Sequence, residues 1–443
     1  MGKIVRILGA CLLAAGLLSC TKDGNFDRSD AAPVSKEGGP EAASRATMKP
    51  HGKVMLLYSA GFHNLSGDQK KNIAELEEGY LPLKLRNDNV LLAFARNTAA
   101  RSDYGNPVSP VLIRLYRTPE GGAVRDTVKT WPKETLAADP ETFHEVLSYV
   151  RDQYPAESYG VVFSSHGTGW LPKGYYDNAS NYDVWNAPRP FRSIGMDVTG
   201  TGSKQVITEM EVDEMAAAIP SDMKLDYFLF DACLMGCVEV AYAFKDKVNV
   251  MGFSPSEVLS YGFDYTKMAS FLLEGERADP ISVCRTYLEK YLSMSGASKS
   301  ACTAVVDLRY LDEVADACTV LFEKYRSEIA AVKRTEESVV SDGQQVSRFS
   351  PQNYYTGNHR WFYDLRDILV TAGVPKEELA DLDAALAKAV LFEGHTPNFL
   401  IYTKFQFHSC CGMSMFLPSD NTDKNLEDYY RKLSWNVATG LIP

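Results

Sequence analysis

Several features that define large classes of protein are missing from this sequence. Acidic side chains outnumber basic ones, 57 to 46 among 443 residues, so the formal net charge is −11. A chain with this balance lacks the basic surface that nucleic-acid binding needs, which argues against nucleic acid as a partner. Internal repeats, phosphate-binding loops and dinucleotide fingerprints are absent, and so are short-spaced pairs of metal ligands. The sequence therefore requires no nucleotide or metal cofactor.

The start of the chain has no apolar run long enough to cross a membrane. Residues 7–18 are apolar, follow Lys3 and Arg6, and lead through a serine to Cys20, which is the order of a cleaved secretion signal. A cysteine at this cleavage point is typical of bacterial lipoproteins. We therefore expect residues 1–19 to be a lipoprotein signal peptide and Cys20 to be lipidated. The alternative is an ordinary cleaved signal in which the cysteine is incidental.

Lipidation would anchor the protein to a membrane of the bacterial cell envelope. Residues 20–50 are rich in Gly, Ser, Ala, Pro and charge, without apolar periodicity, so they are predicted to be a flexible tether. The chain as a whole is 45% hydrophobic and 11% aromatic, which suits a substantial globular body after the tether.

The secondary-structure pattern of that body predicts the fold class. Short apolar blocks typical of buried strands alternate with stretches of helical periodicity. The strand-like blocks are residues 54–58, 90–96 and 111–116, and the helix-like stretches are residues 70–85 and 141–153. Strands and helices that alternate in this way form βαβ units, so the predicted class is α/β with a largely parallel central sheet.

Two residues with catalytic potential each follow a predicted buried strand. His166 comes after the block 159–165 and before a glycine-rich turn, and Cys233 comes after the block 225–232. In open α/β sheets, side chains from different strands meet beyond the carboxyl ends of the strands. Residues 234–244 have helical spacing, so Cys233 is predicted to open a helix, whose positive N-terminal dipole favours a thiolate.

Together these residues predict the chemistry of a cysteine hydrolase. The thiolate of Cys233 attacks a carbonyl, His166 protonates the leaving amine, and the backbone N–H groups of Gly167 and Cys233 hold the oxyanion. Of nine cysteines, seven remain once Cys11 is removed and Cys20 is lipidated, and this odd number leaves at least one free thiol. The alternative for either catalytic candidate alone is a buried structural role.

The sequence blocks around this pair resemble those of a known family. HGTGW at 166–170 and FDACLMG at 230–236 are similar to the clostripain family of cysteine peptidases, whose fold is similar to that of caspases, gingipains and legumains. A weaker likeness continues at residues 254–265 and 411–418. The resemblance implies that His166 and Cys233 are a catalytic dyad.

The resemblance also implies a domain organisation. The expected fold is a caspase-like α/β/α sandwich in which residues 51–275 form the catalytic domain. Helical and strand-like segments from residue 276 to residue 443 are predicted to form a C-terminal α/β subdomain that packs on the catalytic sheet.

Asp231 is the candidate specificity residue. Because side chains alternate along a strand, Asp231 and Cys233 project from the same side. In clostripain-like enzymes the matching aspartate lies in the pocket for the P1 residue, so the resemblance implies a preference for Arg or Lys at P1. A carboxylate in a partly dry pocket would pair with a guanidinium and reject neutral or acidic side chains. The alternative is that Asp231 caps a helix.

These observations predict an envelope-anchored cysteine endopeptidase that cleaves peptides or proteins after Arg or Lys. The alternative is a catalytically silent surface lipoprotein that binds peptides or glycans in the same crevice. No metal is expected in the catalytic site. Calcium could bind elsewhere through Asp177, Asp183 and Asp197, although scattered loop carboxylates are usually just solvated.

Overall fold

The structure, a computed structural model, describes seven segments of the chain. They are residues 51–85, 88–97, 104–175, 193–355, 361–402, 404–418 and 422–443. The predicted signal peptide, the lipidation site Cys20 and the tether lie outside the described residues. Within the seven segments, no helix is both long enough and apolar enough to cross a membrane.

The strands of these segments form one large sheet and three small ones. They are β1 His51–Gly61, β2 Val90–Asn97, β3 Val111–Arg117, β4 Ala123–Thr130, β5 Ala156–Ser164, β6 Ile194–Thr199, β7 Val206–Met210, β8 Leu225–Asp231, β9 Val248–Phe253, β10 Cys302–Asp307, β11 Thr335–Ser341, β12 Gln344–Ser350, β13 Tyr363–Asp364, β14 Val390–His395, β15 Asn398–Phe399, β16 Phe405–Gln406 and β17 Ser414–Met415.

The helices lie between these strands in the chain, except for the last two, which follow β17. They are α1 Ser66–Glu78, α2 Pro140–Gln153, α3 Val212–Ala218, α4 Val238–Phe244, α5 Tyr265–Leu273, α6 Pro280–Leu292, α7 Leu311–Lys324, α8 Arg326–Ala330, α9 Leu365–Thr371, α10 Ala380–Ala389, α11 Lys424–Tyr430 and α12 Ser434–Thr439.

The large sheet has the strand order β14-β10-β9-β8-β5-β1-β2-β3-β4. Its five middle strands, from β9 to β2, run parallel, whereas the strands at both ends pair antiparallel. The predicted α/β class with a largely parallel central sheet is confirmed. A parallel sheet must be covered on both faces, which explains why the middle strands are continuous apolar runs.

Alternate residues of β1 enter two separate hydrophobic layers. Leu56 and Tyr58 pack in the layer that also contains α2, α3, α4 and α7, whereas Met55 and Leu57 pack in the layer of α1, α5 and α6. In α2 the buried residues recur at the spacing of one helix face, as expected for a helix that covers a sheet. The result is the expected α/β/α sandwich.

Residues after 275 contribute to this same sheet. β10 pairs antiparallel with β9, and β14 pairs antiparallel with β10, so two strands from the predicted C-terminal subdomain extend the catalytic sheet directly. The remaining C-terminal strands form a four-stranded sheet, in the order β11-β12-β16-β15, and the pair β13-β17. The C-terminal residues therefore share a hydrogen-bonded sheet with the N-terminal half of the chain.

A buried carboxyl group joins α4 to the C-terminal segment. Oε1 of Glu239 accepts hydrogen bonds from the Phe416 amide at 2.9 Å and from the Tyr430 hydroxyl at 2.8 Å. Oε2 of Glu239 is also buried and has no hydrogen-bond partner. Burial raises the pKa of Glu239 to about 7, because the charged form would lose its hydration. At neutral pH this group is therefore close to its titration midpoint.

The protonation of Glu239 predicts a pH-dependent contribution to stability. Because its folded-state pKa lies above the ordinary value, the folded protein keeps this proton more tightly, and stability falls as pH rises from about 4.5 to about 7. We expect Glu239→Gln to remove this dependence, which is on the order of 3 kcal/mol. Urea unfolding at pH 5 and pH 8 measures it. Glu276→Gln, at an exposed position, is the control, and an unchanged pH dependence in Glu239→Gln would contradict the assignment.

Candidate active site

Three neighbouring strands end at the same edge of the sheet. β8, β5 and β1 lie side by side, with Asp231 paired to Ser164 and Ser164 paired to Ser59. His166 lies two residues after Ser164, and Cys233 lies two residues after Asp231. The parallel pairing thus puts the two predicted catalytic residues just beyond the carboxyl ends of adjacent strands.

Gly167 fits tightly against the backbone of Cys233. A Cβ atom on Gly167 would lie 2.9 Å from the Cys233 carbonyl oxygen and 2.8 Å from the sulfur of Met235, closer than packed atoms approach. Any larger residue would push these two strand ends apart. Gly167 also forms an isolated bridge with Ile194, but the two hydrogen bonds of this bridge are donated by Thr168 and Gly195. The N–H group of Gly167 takes no part in that bridge.

His166 is held at the edge of this crevice by backbone and side-chain contacts. Its carbonyl accepts a hydrogen bond from Gly195 at 3.0 Å, which ties it to β6. Its Nε2 lies 2.8 Å from Oδ1 of Asn64, in the loop after β1. The imidazole ring also packs against the ring of His63, with 4.6 Å between ring centroids. His166 is almost fully buried, so its orientation is set by these neighbours.

Cys233 does not open a helix, and this prediction was wrong. The helix that follows it, α4, begins at Val238 after an N-cap at Cys237. Residues 233–237 instead form a turn in which Leu234 has a φ of 61°, a strained value for a residue with a side chain. Leu234 N–H donates to the Ser256 carbonyl at 2.9 Å, and Gly236 N–H donates to the Ser254 carbonyl at 2.8 Å.

The physical reason for this difference is the packing of the turn. Leu234 and Met235 are fully buried, so their apolar pattern reports burial and not helical structure. A Cβ atom on Gly236 would lie 2.4 Å from the backbone nitrogen of Pro255, so the turn sits directly on the segment after β9. Without a helix N-terminus beside it, the Cys233 thiol does not receive the predicted stabilisation from a helix dipole.

The thiol of Cys233 contacts the backbone of Val258. Val258 N–H donates to Sγ at 3.2 Å, and Sγ lies 3.6 Å from the Val258 carbonyl oxygen. Burial, and after it the nearby Glu257 carboxylate, raise the pKa of the Cys233 thiol to about 12, although the Val258 N–H group acts to lower it. The resting thiol in this structure is therefore neutral, contrary to the thiolate that the sequence predicted.

Asp231 lies in the crevice beside Cys233 with its charge partly compensated. The Tyr265 hydroxyl donates to Oδ2 at 2.6 Å. Burial raises the pKa of Asp231 to about 6, whereas Tyr265 and the ammonium of Lys290 lower it. A Cβ atom on Gly262 would lie 2.5 Å from Oδ2, so glycine lets this loop approach the carboxylate. Asp231 is ionised above about pH 6 and does not cap a helix.

A narrow pocket leads to this carboxylate. It has a cavity volume of about 30 Å³, which holds one or two water molecules but no arginine side chain. Asp68 also lines the pocket, and its Oδ1 lies 3.6 Å from the ammonium nitrogen of Lys71. The other lining residues include Gln69, Asn72, Ser164, Cys233, Val258 and Leu259.

The suggested calcium ligands do not form a site in the described residues. Asp177 and Asp183 lie outside them. Asp197 is fully buried and pairs with Arg96, whose Nη1 lies 2.8 Å from Oδ1. Oδ2 of Asp197 accepts a hydrogen bond from Ala138 N–H at 2.6 Å. Across the part of the chain that the structure describes, no group of three or more His, Cys, Asp or Glu residues is arranged to hold a metal ion.

Sequence reasoning missed four residues that line or support the site. His63 and Asn64 follow a buried strand in the same way as His166, and that position is the signal that could have identified them. Glu257, in the loop after β9, acts on the thiol, and Tyr265, the first residue of α5, acts on Asp231. Both lie in the block 254–265 that resembles the family, but no local pattern assigns either of them a role.

An α/β/α sandwich whose adjacent parallel strands end in a histidine and a cysteine, beside an acidic pocket, defines the class of caspase-like cysteine peptidases. The sequence profile of the clostripain family matches residues 57–439. The chain therefore belongs to the clostripain family of cysteine peptidases.

Individual relatives agree with this assignment. Clostripain of Hathewaya histolytica is 26% identical over 245 residues, which are 52% of this chain and 44% of that protein. The chain thus matches less than half the length of this curated relative. An inactive zymogen C11 protease from Parabacteroides distasonis is 25% identical, with a TM-score of 0.68 over 88% of this chain and 99% of that one.

A second solved structure shares the fold. A secreted C11 cysteine protease from Bacteroides thetaiotaomicron, in complex with an irreversible peptide inhibitor, has a TM-score of 0.66 and 23% identity. The match covers 88% of this chain and 98% of that one.

The Glu257 carboxylate is expected to slow the reaction of the Cys233 thiol with alkylating reagents. Because its negative charge raises the pKa of Cys233, we expect Glu257→Gln to lower that pKa and to speed alkylation of Cys233 by iodoacetamide between pH 7 and pH 9. Each unit of pKa change alters the thiolate fraction about tenfold. Mass spectrometry of the labelled peptide gives the rate. Glu276→Gln is the matched control, and equal rates in all three proteins would rule out this effect of Glu257.

Proposed function

We propose that this protein is a cysteine endopeptidase that cleaves after Arg or Lys and that it acts from the bacterial cell envelope. One observation carries the proposal. Adjacent parallel strands place Gly167 against the backbone of Cys233, with His166 before it and the carboxylate of Asp231 in the same crevice. A nucleophile, a proton carrier and a cation-binding pocket are then all within one site.

The chemistry follows from the residues at the two strand ends. Because the half-buried thiol is neutral at rest, His166 takes its proton as the sulfur attacks the scissile carbonyl. The N–H groups of Gly167 and Cys233 are the donors assigned to the resulting oxyanion. His166 then gives the proton to the leaving amine as the C–N bond breaks. Water hydrolyses the thioester and restores the thiol.

The proposed P1 selectivity rests on the charge of the pocket. Asp231 provides a buried carboxylate, and Asp68 adds a second acidic group at the wall. A cationic P1 side chain would compensate these charges, whereas a neutral one would leave the Asp231 carboxylate buried without a full partner. A volume of about 30 Å³ means that side chains of the pocket must move to admit arginine or lysine.

Peptide cleavage at pH 8, where Asp231 is ionised, tests both activity and selectivity. Protein lacking residues 1–50 should cleave fluorogenic peptides with Arg or Lys at P1, and should leave peptides with citrulline or Leu uncut. Citrulline has the shape of arginine without its charge. Cys233→Ala and His166→Ala should abolish cleavage. Asp231→Asn should lower kcat/KM for the Arg peptide on the order of 100-fold, because the P1 guanidinium would then be buried without the carboxylate that compensates its charge.

Asp226→Asn is the matched control for Asp231→Asn. Asp226 lies at the opposite end of β8 and accepts a hydrogen bond from Asn249 at 3.1 Å, so its loss should leave selectivity unchanged. Equal cleavage of arginine and citrulline peptides by the wild type would refute the role of Asp231. Failure to cleave any peptide, together with an unreactive Cys233, would instead favour the silent peptide-binding or glycan-binding lipoprotein.

The envelope location rests on the sequence pattern that ends at Cys20. If acyl chains are attached there, full-length protein expressed in a bacterium should sediment with membranes and incorporate labelled palmitate. We expect Cys20→Ala to remove the label and to release the protein from the membrane fraction. Cys11→Ala, within the predicted signal peptide, serves as the control. Palmitate incorporation that persists in Cys20→Ala would place any lipid elsewhere.

A further inference from the structure

A third strand end supplies a side chain to His166. β1 lies next to β5 on the side away from β8, and its carboxyl end leads into residues 61–65. From this loop the side chain of Asn64 reaches His166, with 2.8 Å between Oδ1 and the imidazole Nε2. The catalytic candidates thus come from β8 and β5, and a third polar group comes from β1.

The chemistry of the two groups fixes the direction of this hydrogen bond. An amide oxygen can only accept a hydrogen bond. Nε2 of His166 therefore carries the ring hydrogen and donates a hydrogen bond to Oδ1 of Asn64. In a neutral imidazole the other nitrogen, Nδ1, is then the basic one. An acceptor at Nε2 therefore selects one of the two tautomers of His166 and fixes the plane of the ring.

Buried contacts on either side hold Asn64 in place, although Asn64 itself is exposed. His63 is buried, and its Nε2 donates to the Ala60 carbonyl at 2.7 Å. Its Nδ1 accepts from Leu65 N–H at 3.2 Å. The hydroxyl of Ser165, the residue before His166, also donates to the Ala60 carbonyl at 2.7 Å. The loop with Asn64 and the strand end with His166 are therefore fixed to one carbonyl group.

The neighbouring His63 supports this arrangement without adding charge. Burial lowers the pKa of His63 to about 4, so it is neutral at the pH at which a peptidase of this kind would work. Its ring packs against that of His166, with 4.6 Å between the ring centroids.

We propose that Asn64 is a positioning residue that holds His166 in its Nε2-protonated tautomer and so presents Nδ1 for proton transfer with Cys233 and the leaving amine. The proposal rests on the proposed peptidase function. Asn64 acts only through His166, as the third member of catalytic triads does in other cysteine and serine hydrolases.

Kinetics of three variants test the role. Asn64→Ala should lower kcat about 10- to 100-fold with little change in KM, because a misoriented base slows the chemical step and leaves substrate binding intact. Asn64→Asp should retain much of the activity, and its pH profile should move to higher pH, because a carboxylate favours the imidazolium. Gly67→Ala, nearby in α1 with open space around its Cα, is the control and should match the wild type.

A readout independent of peptide cleavage separates this proposal from the proposed function. Long-range proton–nitrogen NMR spectra of protein labelled at histidine identify the tautomer of His166, with His166→Gln used to assign the signals. The wild type should show the Nε2-protonated form, and Asn64→Ala should show a mixture of tautomers.

Each result decides a different question. A wild type that cleaves no peptide defeats the proposed function, and the NMR spectra still decide the role of Asn64. An Nδ1-protonated His166 in the wild type, or an unchanged tautomer in Asn64→Ala, overturns the role of Asn64. Equal losses of activity in Asn64→Ala and Asn64→Asp, with no shift of the pH profile, would also overturn it.

Discussion

Parallel hydrogen bonding between β1, β5 and β8 is the constraint on which the rest of this structure depends. It buries both faces of these strands, so helices must cover the sheet on both sides. It also aligns the carboxyl ends of the three strands, because Asp231, Ser164 and Ser59 lie in one register. Asn64, His166 and Cys233 therefore each follow one of three adjacent strand ends. The fold and the candidate site are therefore two consequences of the same pairing.

Neighbouring groups compensate the burial of Asp231 and of Cys233 to different extents. Burial opposes the charged forms of Cys233 and Asp231 and raises the pKa of each. Asp231 is compensated by the Tyr265 hydroxyl and the charge of Lys290, whereas the Cys233 thiol has Glu257 nearby, which opposes ionisation further. In the proposed mechanism the ionised Asp231 carboxylate binds a cation, whereas the neutral thiol needs a base when it reacts. This asymmetry gives the orientation of His166 its importance.

The C-terminal residues are part of the site's support. Ser414 N–H donates to the Gly236 carbonyl at 2.9 Å, so the segment around β17 holds the turn that carries Cys233. Glu239 ties the next helix to Phe416 and Tyr430. Two C-terminal strands, β10 and β14, also extend the catalytic sheet. The position of the thiol consequently depends on contacts between residues nearly two hundred positions apart.

The sequence by itself determined the α/β class, the family resemblance and the placement of His166, Asp231 and Cys233 at strand ends, because buried strands and glycine-rich turns leave local patterns. It could not show that residues 233–237 form a turn, since a buried turn and a buried helix carry the same apolar residues. Only the tertiary structure decided which groups surround the thiol and which one holds His166. Glu257 and Asn64 reach the site from distant loops, and contacts across such distances leave no trace in local sequence periodicity.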